Sequence, residues 1–163
     1  MTNFKTEIKW ALIFAVMMLG WMFMEKSLGF HDKHIDKHVI ITNFVAIPAI
    51  LIYVLALLEK KRKDLGGHMT YMQGFRTGLI ITVILTALMP LVQYISTTYI
   101  TPDYFTNARN YAVNQGMMTV DEADAYFNNK SYIMQTLIGT PVMGLLTTAI
   151  VAIFIRSKKN NLL

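Results

Sequence analysis

The chain has 163 residues, of which 54 % are hydrophobic and only 15 % charged, with no cysteine and a net charge of +5. Mean hydropathy is +0.41, and the charged fraction falls well below the about 25 % of ordinary soluble domains. Without cysteine the chain forms no disulfide, zinc–thiolate site, iron–sulfur cluster or Cys nucleophile.

The apolar residues fall in four blocks separated by polar stretches, which is the pattern of a membrane chain. The first spans about 8–28, with Lys5 and Lys9 before its apolar core and Glu25 and Lys26 near its end. Met22, Phe23, Met24 and Glu25 stand where a signal peptide would need small residues for cleavage, so the block reads as a retained anchor. The second, Val39 to Leu58, is 20 residues without a charge, enough to cross ~30 Å at ~1.5 Å per residue. The third, 75–100, carries a charge only at Arg76, and the fourth, 132–155, carries none.

The intervening segments differ in character. Residues 30–38 are rich in His, Asp and Lys, and 59–70 form a basic turn with Gly66 and Gly67. Between the last two blocks, 101–131 reads as two short helices. Thr101-Pro102 is the expected start of one, and Gly116 its stop. Thr119 to Glu122 fits a capping box opening the other, and Asn128, Asn129 and Ser131 are expected to break it. The expectation is a single all-α domain over 1–163, a four-helix transmembrane bundle with a short extracytoplasmic helical segment between spans three and four.

Charge orients it. The N-terminal flank, the 59–76 segment and the C-terminal tail hold ten cations against three acids, or +7, with Lys158 and Lys159 among them. The other side holds five cations against seven acids, or −2. Lysine and arginine beside span ends favour the cytoplasm, so both termini are expected inside and 101–131 outside, in a bacterial inner membrane. The net +5 is then a topology signal that suits anionic lipid, and a nucleic-acid partner has no motif behind it. Trp10, Trp21, Tyr53, Tyr71, Tyr94, Tyr99 and Tyr132 sit toward block ends, as interfacial aromatics do.

The segments NFKTEIKW at 3–10, EKSLGFHD at 25–32, TNFVAIPA at 42–49 and MTYMQGFRTG at 69–78 together resemble a family of small bacterial membrane proteins known only as a domain of unknown function. The resemblance covers essentially the whole chain. It implies four spans and brings no activity, ligand or functional residue with it.

Three constellations could carry chemistry. His31, His34 and His38 are spaced i, i+3 and i+7, which places them on one face of a helix, where imidazoles suit zinc or a similar metal. Asp32 or Asp36 could add an oxygen, while Lys33 and Lys37 would repel a cation. A solvated loop and a proton-sensing cluster are the competing readings. Glu25, Asn43, Gln93 and Gln135 are the polar residues near or within spans. Glu25 reads as an interfacial pair with Lys26, and Gln93 and Gln135 as hydrogen-bonding across a helix interface. Gly74 and Gly78 make a GxxxG spacing in span three, and Gly139 and Gly144 add small residues to span four, favouring close packing of the two spans or, second, homodimerisation. Pro48, Pro90 and Pro141 are expected to kink spans two to four. The 12 methionines read as adaptable packing.

No nucleophile–base pattern, HExxH, P-loop, dinucleotide fingerprint or cofactor motif is present. The expected function is a non-enzymatic scaffold or accessory subunit, partnered by the bilayer and by a membrane protein or a second copy. The alternative is a small transporter, channel or ion-binding protein.

Overall fold

The computed structural model describes residues 4–157, so Asn3, Lys158 and Lys159 lie outside the described residues. Among the described residues seven α-helices follow one another: α1 Lys5–Ser27, α2 His38–Thr42, α3 Ala46–Lys63, α4 Tyr71–Ile95, α5 Tyr104–Asn114, α6 Val120–Tyr126 and α7 Asn129–Ile155. A tight 3-10 turn precedes α2, and a second, Asn43–Val45, joins α2 to α3. Among the described residues four helices are long and apolar enough to cross a membrane, at Lys5–Ser27, Ile35–Lys63, Tyr71–Ile100 and Asn129–Ile155. Outward side chains on all four are large, apolar and exposed, among them Val16 at 68 %, Ile47 at 66 %, Val83 at 62 % and Phe154 at 80 %. Contiguous exposed apolar surface on that scale suits hydrocarbon, not water.

Local chemistry sets the helix limits. The Thr70 hydroxyl accepts from Gln73 N at 3.2 Å while the Gln73 carboxamide accepts from Thr70 N at 2.8 Å, a capping box that opens α4. Thr119 and Glu122 open α6 in the same way. The expected start of α5 at Thr101-Pro102 is displaced. The last turn of span three widens to a π turn in which Thr101 N donates to Ser96 O, and Thr101 O then accepts from Tyr104 N. Asp103 takes the cap position and α5 begins at Tyr104. Gly116, at φ 66°, ends α5, with Met117 N returning to Ala112 O. Asn128 was expected to break a helix, and α6 ends ahead of it at Tyr126, with the Asn128 amide donating to Asp124 O and Ala125 O; the same side chain also starts the next helix. Its side-chain oxygen accepts from Ser131 N at 2.9 Å, so span four begins at Asn129. Pro48 falls in the first turn of α3, and the backbone four residues ahead of it, where a proline ring would crowd a carbonyl, is the Asn43–Val45 3-10 turn.

The central contact is between α4 and α7, which run antiparallel. A Cβ built at Gly74 would meet the Ala152 methyl at 3.2 Å, one at Gly78 would lie 2.9 Å from the Thr148 Cβ, and one at Gly144 would lie 3.0 Å from the Thr82 Cβ. Each helix thus offers a glycine to the other's threonine, and the backbones close on that pair of notches. Gly139 does not belong to this contact: a Cβ there meets nothing within 4 Å. Ala11 and Ala15 of α1, Ala56 and Leu57 of α3, Ile81 and Leu85 of α4 and Val151 and Ala152 of α7 complete the core. The Tyr53 hydroxyl, buried at mid-span, lies 2.8 Å from that of Thr82, which donates to Gly78 O.

The basic end is fastened by ions. Lys60 reaches Glu7 at 3.0 Å and Asp64 at 2.9 Å, and Thr6 donates to Asp64 at 3.1 Å. Glu59 takes Lys9, Lys63 and the Trp10 indole N–H. Lys61 donates to Ile155 O at 2.9 Å, and Ser157 N to Met69 O at 2.8 Å. The start of span one, the end of two, the start of three and the end of four therefore meet at one end, with α5 and α6 at the other.

Candidate functional site

The end opposite the basic cluster holds a buried polar centre. Span one runs into a turn that folds its own end inward. Gly29, at φ 80°, lets Phe30 N bond back to Glu25 O and Gly29 N to Lys26 O, the paired closure of a left-handed C-cap. His34 N then donates to Gly29 O at 2.8 Å. The reversal drops His31 beside the last turn of α1, where it is 3 % exposed against a Glu25 that is 0 % exposed.

A carboxylate so deep needs partners. The Trp21 indole, one turn earlier on the same face, donates to Glu25 Oε1 at 2.8 Å. His31 Nε2 lies 3.2 Å from Glu25 Oε2, and His38 Nδ1 lies 4.0 Å from the same oxygen. Glu25, His31 and His38 each present one donor atom within 4.8 Å of the others. His31 Nδ1 and His38 Nδ1 are both buried without a hydrogen-bond partner in the protein.

Tyr104, from the first turn of α5, closes the centre. Its hydroxyl is 3.1 Å from His38 Nε2 and 3.2 Å from the Tyr132 hydroxyl. The rings of His31, His38 and Tyr104 form a triangle with centroids 5.0 to 5.1 Å apart. Burial pushes the Tyr104 phenol above its ordinary value, so it stays neutral and can donate. Asn107 donates to His31 O at 3.0 Å, tying the turn to α5, and Arg109 lies 2.9 Å from Asp124, tying α5 to α6.

The residues singled out by sequence separate here. Of the three histidines, His31 and His38 come together and His34 does not: it is exposed and packs on Phe30 instead. The run Ile35–Lys37 is a 3-10 turn, so the i, i+3, i+7 face of a regular helix does not form. Asp32, Lys33, Asp36 and Lys37 are all exposed, so the lysines that argued against a cation face solvent. Glu25 replaces His34. The expected interfacial pairing with Lys26 gives way because adjacent helical residues point about 100° apart; Lys26 is exposed while Glu25 turns into the bundle. Asn43 donates to Val39 O within its own span, while Gln135 donates to the Ser131 hydroxyl in its own span and accepts from the Tyr126 hydroxyl of α6 at 3.5 Å, not from another span. The Gln93 backbone carbonyl accepts from the Thr97 hydroxyl, a bond that does not involve the Gln93 side chain. Trp21, Tyr104 and Tyr132 escaped the sequence reading as site members, although the i, i+4 spacing of Trp21 and Glu25 is a legible signal.

Two imidazoles and a carboxylate, with a neutral phenol beside them, can hold a proton or coordinate a divalent transition metal. No curated protein and no solved structure matches the chain. Residues 9–157 match the model of a family described as protein of unknown function, DUF4199, and the chain belongs to that family.

Proposed function

We propose that the chain is an ion-binding membrane protein whose working part is a divalent transition-metal site built by Glu25, His31 and His38. This takes up the ion-binding alternative in place of the scaffold or accessory role. The observation that carries it is the convergence of His31 Nε2 and the otherwise unpartnered His38 Nδ1 on one oxygen of a buried carboxylate. Buried polar atoms are almost always satisfied, and two imidazole nitrogens facing one carboxylate want a shared cation.

The distances support the reading. Ligand atoms at ~2.1 Å from a tetrahedral zinc stand ~3.4 Å apart. The Glu25–His31 separation of 3.2 Å is close to that edge, and the Glu25–His38 separation of 4.0 Å needs a shift of about half an ångström. The outer partners suit it too. Trp21 fixes one carboxylate oxygen and leaves the other for the ion, and Tyr104 fixes the tautomer of His38 through Nε2, the roles that outer ligands play in metal sites. The charge asymmetry supports an extracytoplasmic position for this site, in a bacterial inner membrane with both termini in the cytoplasm.

The test is titration of the purified, detergent-solubilised chain with zinc, nickel and cobalt, with cobalt absorption reporting coordination. The expected result is one ion per chain, lost in Glu25→Gln, His31→Ala and His38→Ala and kept in His34→Ala. A wild type that binds none of the three ions would end the proposal. So would equal binding by the His31 and His38 variants.

A further inference from the structure

A second feature is independent of the metal centre. A groove of about 460 Å³ lies between spans two and four, with Phe14 and Met18 of span one also lining it. Leu85 and Met89 of α4 form its floor, and Ala46, Ala49, Gly139 and Met143 line its walls. Ala46 and Met143 are exposed, so the groove opens sideways from helices that themselves cross the membrane. Small residues inside a span ordinarily mark a place where another helix comes close. No helix of this chain does so at Gly139, whose Cβ position meets nothing within 4 Å.

We infer that the groove seats one acyl chain of a membrane lipid, with the lipid's polar ester region against Asn43, Gln135 and Tyr132. Two observations carry this. The first is length: the α7 wall from Gln135 to Thr147 covers 13 residues, or ~18 Å of helix from first to last, against the ~15 Å of hydrocarbon in one leaflet. The second is polarity. Asn43, Gln135 and Tyr132 gather at the end of the groove nearest α5, while the deeper lining is apolar apart from hydroxyls. A lipid presents the same gradient, polar at the interface and apolar below. The polar end also abuts the buried centre, since Tyr132 lies 3.2 Å from Tyr104 and Tyr104 3.1 Å from His38.

Native mass spectrometry of the full chain, reconstituted in phosphatidylethanolamine and phosphatidylglycerol vesicles and released into mild detergent, tests this. One lipid per chain is expected to survive release. Gly139→Phe puts a ring into the groove from a position where an added Cβ meets nothing within 4 Å, and is expected to lower retained lipid at least fivefold. Ala49→Phe does the same from the opposite wall. Ile150→Phe, on exposed surface outside the groove, retains it. Zinc binding by Gly139→Phe stays at the wild-type level, which separates this inference from the metal site. Equal retention by wild type and both groove variants would overturn it, as would a wild type that keeps no lipid. A disulfide between two copies through Cys introduced at position 139 would hand the groove to a second chain and overturn it as well.

Discussion

Gly78→Ala adds one methyl group to the tightest point of the α4–α7 contact. Its Cβ would lie 2.9 Å from the Thr148 Cβ, whereas carbon atoms rest at about 3.5 to 4.0 Å. The helices must separate by more than half an ångström, or the threonine must leave its rotamer. Overpacking of that kind costs about 1–3 kcal/mol. Replacing a helical glycine by alanine returns about 0.5–1 kcal/mol. A net loss of about 1–2 kcal/mol follows, a drop of several degrees in thermal midpoint for a chain of this size. Gly139→Ala is the internal control. It meets nothing within 4 Å, so only the propensity gain remains and the midpoint should hold or rise. The second control is Thr148→Ala. The Thr148 hydroxyl has no hydrogen-bond partner in the protein, so its removal strips no bond while clearing the atoms nearest Gly78. The Gly78→Ala/Thr148→Ala double variant should then be more stable than the sum of the singles predicts, by about 0.5 kcal/mol or more. The assay is thermal unfolding in dodecyl maltoside followed by circular dichroism. Additive double variants, or a Gly78→Ala midpoint equal to that of Gly139→Ala, would refute the close-contact argument.

Trp21→Phe keeps the ring and removes the N–H that holds Glu25 Oε1. A hydrogen bond to a charged group contributes about 1.5–3 kcal/mol, and loss of an outer partner weakens metal binding about 10- to 100-fold, so zinc titration and thermal unfolding should both register it; unchanged zinc affinity would count against the carboxylate as a ligand. At the basic end, the hydrogen bond from Lys60 holds the Asp64 carboxyl below its ordinary range, aided by Thr6. A depressed value means that this contribution is complete above the ordinary carboxylate pKa and is lost as pH falls through the lowered one. The acid limb of the midpoint-versus-pH curve should therefore be shallower in Asp64→Asn than in wild type. For orientation, single cysteines at positions 62 and 115 can be read without background in a chain that has none of its own. A membrane-impermeant maleimide should label Gln115→Cys in intact cells and reach Arg62→Cys only after permeabilisation, and the reverse pattern would invert the proposed topology.

Much of the fold is legible because a membrane simplifies the code. Four apolar blocks have one stable conformation in hydrocarbon, where every backbone N–H and C=O must be bonded within the segment. The capping box at Thr119–Glu122 and the stop at Gly116 are equally local, and both appear in the structure. What escaped depended on competition between neighbours. Thr101 was free, in sequence, to cap α5, but it closes the π turn ending span three, its N–H on Ser96 O and its carbonyl accepting from Tyr104 N, so Asp103 takes the cap position and α5 starts at Tyr104. Asn128 was legible as the break after α6, but not as the cap of span four: its amide N–H closes α6 on Asp124 O and Ala125 O while its oxygen accepts from Ser131 N.

The candidate site was half legible for a related reason. Sequence spacing places histidines on a common face only if the intervening backbone is one regular helix, and Gly29 together with the 3-10 turn at Ile35–Lys37 removes that premise. His34 then turns away although its spacing is better than that of His38 alone. Glu25 was readable by another route. Ala11 and Ala15 mark the face of α1 that packs inward, and the steps from 11 to 15, 18, 22 and 25 alternate four and three residues along that stripe. Glu25 therefore falls on the inward face, and Trp21, at i−4, is positioned to donate to it. A charged residue on the stripe marked by small buried residues is a better predictor of a functional group than one judged by its distance from the end of a hydrophobic block. The block end is set by lipid, whereas the stripe is set by the other helices, and a carboxylate that the other helices enclose must find its partners among them.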